Sequence, residues 1–314
     1  MDFPNGFNNS IDSEIVDDCP FLKNIQVGII SFVISFFNII IESLACYSFY
    51  MIRRLNRKMP FEIMRHQSQL VLILQFCHFI TSIITIFDLE EIFILYLIIG
   101  SLLEFSYVGY VAFVFLLTLC RFDIMYNNCI LSLISRKKIF SVGIILCYLL
   151  GFVFFIFYMI PKYRLVYNDK FFGWTFQRQI KIVRIAANIK GNIMLLLLLF
   201  CLLLHTLIIF KVIYTRCNNI NKRRKKISVE DLKLLAHIVL CFLTIGFLEL
   251  CWLKVFPFFY LTKTGIILSQ LLFNAVTGIN TIFTLIFVKD VSKTLSTCFF
   301  KDKNTIANIK IQKK

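Results

Sequence analysis

The stretch from Ile92 to Phe122 limits what this chain can become more than any other. It is almost continuously apolar and closes on Phe113-Val114-Phe115-Leu116-Leu117-Thr118-Leu119-Cys120-Arg121-Phe122, after which Asp123, Asn127 and Asn128 turn the chain polar. Roughly 20 apolar residues of helix cross a bilayer core, so this run is a membrane span with Arg121 at its exit. Two readings of that arginine stand side by side. Its guanidinium can reach up to the lipid headgroups, as end-of-span arginines do, or it can serve a partner at the inner face.

Windows of the same length place further spans near 25–52, 66–87, 139–160, 191–213, 234–258 and 265–288, with this one at 92–119, making seven. The composition agrees: 59% of residues are hydrophobic and 17% charged, against about 25% charged in a soluble domain. The predicted class is an all-α membrane protein: a tail over 1–24, a seven-transmembrane helix bundle over 25–288, and a short amphipathic helix with a cytoplasmic tail over 289–314. Cys46, Cys77, Cys120, Cys147, Cys201, Cys241 and Cys251 lie inside apolar runs, and Cys129, Cys217 and Cys298 in basic loops. They do not form a disulfide scaffold; only Cys19 is expected to meet an oxidising compartment.

Seven spans put the two ends on opposite sides, and charge decides which. Lys and Arg number five over 53–65, four over 121–138, eight over 211–233 and seven over 289–314, 24 of the chain's 34. The positive-inside rule therefore places these segments in the cytoplasm and the N-terminus outside, which makes Arg121 cytoplasmic. The loop holding Lys162, Arg164, Lys170, Arg178, Lys181 and Arg184 is the one basic segment that opposes this. The tail before Asn24 is acidic and lacks a basic start, so it does not read as a cleavable signal, and the first span is expected to direct insertion. Asn8-Asn9-Ser10 is a glycosylation triplet if that end is outside.

Polar residues within spans should face other helices or water. In the first span Asn38 and Glu42 share a face; Asn38 reads as a buried hydrogen-bonding group and Glu42 as the same or as a proton site. In the third, about 100° per residue brings Tyr107 and Tyr110 onto the meridian of Arg121, with Glu104 a quarter turn away. The tyrosines either line a cavity or belong to an interfacial aromatic belt. In the sixth, Glu249 and Trp252 are three apart and share a face. In the seventh, Gln270, Asn274, Thr277, Thr281 and Thr284 form a continuous polar stripe, with Asn280 beside it. The run Arg223-Arg224-Lys225-Lys226 faces lipid headgroups or docks an acidic cytoplasmic partner. Past Lys289, Val291, Leu295 and Phe299 alternate with lysines as in a helix lying on the inner leaflet, with Cys298 placed for palmitoylation.

Cys120-Arg121-Phe122 closing the third span, Cys251-Trp252 in the sixth, and Asn280-Thr281-Ile282-Phe283-Thr284 leading into an amphipathic helix resemble the rhodopsin-like G-protein-coupled receptor superfamily. More narrowly, the chain is similar to the divergent serpentine chemoreceptors of nematodes. The family's Asp-Arg-Tyr keeps Arg121 with Phe122 beside it; its Asn-Pro-x-x-Tyr keeps only Asn280; its Cys-Trp-x-Pro has Lys254 in place of proline. No cysteine stands where the family's outer disulfide requires one. The resemblance implies a receptor for a small ligand held in the bundle by Glu104, Tyr107, Tyr110, Glu249, Trp252, Gln270 and Asn274. It further implies that Arg121 and Phe122, with Arg223, Arg224, Lys225 and Lys226, face a heterotrimeric G protein, and that Asn38 and Asn280 belong to the polar network between the two ends. A plasma-membrane location follows, with no enzymatic activity, cofactor or nucleic acid partner.

Two other classes fit part of the sequence. A transporter would use Glu42, Glu104 and Glu249 as ion carriers, but it predicts internal repeats, and 25–119 shows no self-similarity to 191–288. A ligand-gated channel of seven spans would place the N-terminus inside, against the charge count. A hydrolase needs clustered ligands or a nucleophile with its base, and His66, His78, His205 and His237 differ in depth and show no metal spacing.

Overall fold

A computed structural model describes residues 24–55, 59–89, 92–126, 136–168, 172–177, 179–218, 229–252, 255–288 and 291–292. Seven long helices run through them: α1 (Asn24–Leu55), α2 (Met59–Phe87), α3 (Phe93–Met125), α4 (Arg136–Met159), α5 (Lys181–Asn218), α6 (Val229–Trp252) and α7 (Lys263–Phe287). With no water in hydrocarbon to satisfy backbone amides, a helix is the form an isolated apolar run can take there. Six of the seven are long and apolar enough to cross a membrane. The other, α6, has its apolar part over Val239–Trp252 and opens with Glu230, Asp231 and Lys233. The protein is a multi-pass, all-helical membrane bundle.

Local chemistry ends the helices. At the C-terminal end of α2, Asp88 takes the left-handed region (φ 48°) and the Leu89 amide returns to the Ile84 carbonyl at 3.2 Å, closing the last turn as an αL residue does. The first turn of α7 is capped by the Thr262 hydroxyl, which accepts from the Gly265 amide at 3.0 Å.

Helix α3 is the axis of the bundle: 78% of its most apolar window is buried, against 28% for α4 and α5 and 22% for α1. It packs against α2, α4, α5 and α6, while α1 and α7 close the ring through each other and α2. Lipid tails are as apolar as leucine, so close backbone approach rather than hydrophobic exclusion selects these contacts. Gly151 of α4 shows it: a Cβ there would stand 2.8 Å from the Phe105 carbonyl oxygen of α3.

Between α4 and α5 the chain forms a 3-10 turn (Pro161–Tyr163) and an antiparallel hairpin, β1 (Leu165–Asn168) with β2 (Gly173–Phe176), pairing Leu165 with Phe176 and Asn168 with Gly173. The expected basic outer loop is thus largely structured. Its C-terminal part, from Lys181, is the first three turns of α5, which begins ten residues before the apolar window that marks it in sequence. A second correction concerns Asp123. It does not mark the exit into water: α3 runs on to Met125 and Asp123 is 1% exposed, its carboxylate 3.0 Å from the Arg136 Nε of α4. The first turn of α2 likewise starts at Met59, before the window at 66, and α6 ends at Trp252, before 258. Helices α2, α3 and α5 thus continue through polar residues beyond their apolar windows, which a hydropathy window does not register, whereas α6 stops short of its window.

Candidate functional site

Three levels of polar and aromatic residues are stacked along α3. At the outer level, the one nearest the β1–β2 hairpin, Tyr107 is the pivot. Its hydroxyl donates to Glu249 Oε1 of α6, and its ring meets Trp252 (centroids 5.3 Å) and Phe273 of α7 (5.2 Å) edge to face, with Trp252 and Phe273 5.0 Å apart. His78 of α2 sets its ring against Phe273 at 4.9 Å. One turn outward, both carboxylate oxygens of Glu104 lie 2.9 Å from Lys190 Nζ of α5. That ammonium also rests over the Phe176 ring of β2 at 4.6 Å. Lys190 is a residue the sequence reading passed over; it stands at the edge of the apolar window, where a basic residue looks like interfacial decoration.

The hairpin covers this level. Trp174 lies on Gly100 of α3, where a Cβ would meet its ring at 3.3 Å, and its Nε1 donates to Thr81 Oγ1 at 3.2 Å. Tyr167 hydrogen-bonds Thr85 at 2.5 Å, and Gly173 sits directly on the Gln270 side chain. Gln270 therefore faces the underside of the hairpin.

The middle level joins α1, α2, α3, α6 and α7. Asn38 Nδ2 donates to the Asn274 carbonyl at 2.9 Å and to Gln75 Oε1 at 3.3 Å, while Gln75 Nε2 donates to the same carbonyl at 3.1 Å and to Thr277 Oγ1. Asn274 Nδ2 reaches across to Ser31 O at 3.1 Å. Thr281 donates to Glu42. Asn280 Nδ2 donates to the Tyr110 hydroxyl at 2.5 Å and its Oδ1 accepts from Thr244 at 2.8 Å. The polar stripe of α7 thus faces the bundle: Asn274, Thr277, Thr281 and Thr284 are buried, while Leu268, Ile279, Ile282 and Ile286 point outward. Gly278 makes the α1–α7 approach feasible, because a Cβ there would land on the Asn38 side chain. Tyr110 and Asn274 belong to this level, below Tyr107, and Tyr110 lines a small cavity with Glu42, Gln67, Ser68, Thr277 and Asn280.

The inner level, at the end of α3 away from the hairpin, holds Arg121, which is buried at 9% exposure. Phe122 stacks on Tyr126 (4.4 Å) and packs with Ile208 and Val212 of α5, and the Tyr126 hydroxyl donates to Leu207 O at 3.0 Å. Asn8, Arg223, Arg224, Lys225, Lys226 and Cys298 lie outside the described residues. Gln75, Lys190 and the Asp123–Arg136 pair are the participants that sequence reasoning missed. Gln75 carries a legible signal, an amide in mid-span, but it is less conspicuous than the stripe on α7.

The histidines are dispersed: His66 Nδ1 is 3.0 Å from the Tyr148 hydroxyl, His205 Nδ1 is 2.6 Å from Cys201 O, and His78 lies at Phe273. Among the described residues no group of three or more His, Cys, Asp or Glu side chains is placed to hold a metal ion.

The described residues thus form a bundle of seven helices pivoting on α3, with a hairpin over one end and a polar core. Comparison with solved structures finds squid rhodopsin, whose crystal structure superposes with a TM-score of 0.63 at 11% identity, over 91% of this chain and 90% of that one. The chain has a rhodopsin-like seven-helix fold. No protein-family model matches the sequence, and no curated protein does.

Proposed function

We propose that this protein is a chemosensory G-protein-coupled receptor of the plasma membrane, N-terminus outside, which binds a small ligand between the helices and activates a heterotrimeric G protein. The observation that carries this reading is a run of contacts from the Trp252 level to the middle of the bundle. Trp252 and Glu249 of α6 meet Tyr107, and a turn lower α6 is held to α7 and α3 through Thr244, Asn280 and Tyr110. A ligand that pushes on Trp252 acts on the same helix that Thr244 secures. Thermodynamically, any arrangement of α6 that binds ligand better and also opens the face beside Arg121 makes ligand and G protein favour each other.

Glu104, Tyr107, Glu249, Trp252 and Gln270 are the proposed ligand contacts; Tyr110 and Asn274 support them from beneath, and Asn38 and Asn280 belong to the connecting network. Arg121, Phe122 and the run Arg223–Lys226 are proposed to meet the G protein. The test is nucleotide exchange by purified heterotrimeric G protein in the presence of the purified chain. Exchange should rise above that with empty membranes and fall with Trp252→Ala, and a truncated anchor of this kind is worth about 2 kcal/mol or more. No exchange above background with any G-protein class would end the reading.

A further inference from the structure

The outer level carries an unequal count of charges. Glu104 and Glu249 are both buried carboxylates, and Lys190 is the one ammonium among the described residues that reaches them. Glu104 takes that ammonium with both oxygens, each at 2.9 Å. Glu249 has the Tyr107 hydroxyl, a neutral donor, and no ion pair among the described residues. Burying a carboxylate is costly unless a positive charge or a full set of donors compensates it. Around it the surfaces are aromatic: Tyr107, Trp252 and Phe273 meet edge to face within 5.3 Å of one another. Two further buried polar atoms at this level have no protein partner among the described residues, the Tyr158 hydroxyl, within the field of Glu104, and His78 Nε2, on the far side of Phe273.

A negative charge short of its counterpart, set among aromatic rings, is what an organic ammonium recognises, through the carboxylate and through the ring quadrupoles. We propose, resting on the receptor reading above, that the ligand is a small amine with an apolar or aromatic body, its ammonium held by Glu249 and its body seated on Trp252 and Phe273. Glu104, the more obvious acidic residue in sequence, is not the recognising charge, because Lys190 already neutralises it. It borders the ligand and, through Lys190, holds α3 to α5.

The test uses the full chain purified in detergent, its thermal midpoint, and three probes of one shape: 2-phenylethylamine, 2-phenylethanol and phenylacetate. The amine should raise the midpoint and the other two should not. Glu249→Gln should weaken the amine's apparent affinity roughly tenfold or more, and Glu249→Asp should keep most of it. Without any probe, Glu249→Gln should raise the midpoint by relieving an uncompensated charge, whereas Glu104→Gln should lower it by stranding Lys190. A lower midpoint for probe-free Glu249→Gln, equal effects of all three probes, no effect of any, or a preference for phenylacetate would each overturn the assignment. Nucleotide exchange separates the two proposals. Stabilisation by the amine with no exchange sinks the receptor reading and leaves the cation site, while exchange driven by phenylacetate alone does the reverse.

Discussion

Asn280 of α7 donates to the hydroxyl of Tyr110 of α3 over 2.5 Å, and Thr244 of α6 holds the other end of the same amide at 2.8 Å. One side chain therefore links three helices, α3, α6 and α7, in the middle of the bundle. Tyr110→Phe leaves a buried amide N–H without its partner, a loss of about 1–3 kcal/mol. The expected result is a lower thermal midpoint together with altered basal nucleotide exchange; Thr244→Val should move exchange in the same direction. A midpoint and basal rate unchanged in both variants would show that this link carries no weight.

Gly278→Ala should be more damaging than a single methyl suggests. The new Cβ would occupy the position of the Asn38 side chain, so Asn38 must leave and give up its bonds to Asn274 O and Gln75. Surface expression should fall severalfold. Reducing Asn38 to alanine in the same chain should restore part of it, because the space is returned.

The hairpin is secured by side chains where the resemblance would lead one to expect a disulfide. No cysteine lies in the hairpin or in the outer half of α3, and the attachments are Trp174 on Gly100, Trp174 to Thr81 and Tyr167 to Thr85. Ligand response should therefore survive a reducing agent at full strength. Trp174→Ala should lower potency by about tenfold or more, since it removes a half-buried aromatic anchor of the order of 2 kcal/mol. Loss of response on reduction would point to Cys19.

Arg121 separates two physical roles. Lysine also reaches headgroups, so Arg121→Lys is silent if that is all the residue does. It is damaging if the planar guanidinium makes forked hydrogen bonds to a partner helix. The burial of Arg121 at the inner end of the bundle favours the second role. Arg121→Lys and Arg121→Ala should both reach the cell surface and lose most nucleotide exchange. Neutralising Arg223, Arg224, Lys225 and Lys226 to glutamine should give a smaller loss that shrinks as salt rises, because exposed charges are screened over about 10 Å at about 0.1 M.

Topology is testable without any ligand. If the charge asymmetry sets orientation, Asn8 is glycosylated and a tag after Lys314 stays inaccessible in intact cells. Glycosidase-sensitive mobility and antibody access measure the two ends, and finding both on one side would refute the receptor reading.

The number of spans, their order and the inward polar stripe of α7 were all legible in the chain, because a bilayer turns hydropathy into structure almost residue by residue. The meeting of Tyr107 with Trp252 and Glu249 was half legible: helical spacing placed each on a face, and nothing local said which faces would touch. What only the tertiary structure decided is pairing. Lys190 neutralises Glu104, Asp123 turns inward to Arg136, and Tyr110 reaches Asn280. These partners stand 86, 13 and 170 residues apart in the chain. A periodicity of about 3.6 residues fixes the direction of a side chain around its own helix. Which neighbour lies in that direction, and at what depth, depends on how small residues such as Gly151 and Gly278 let the helices approach.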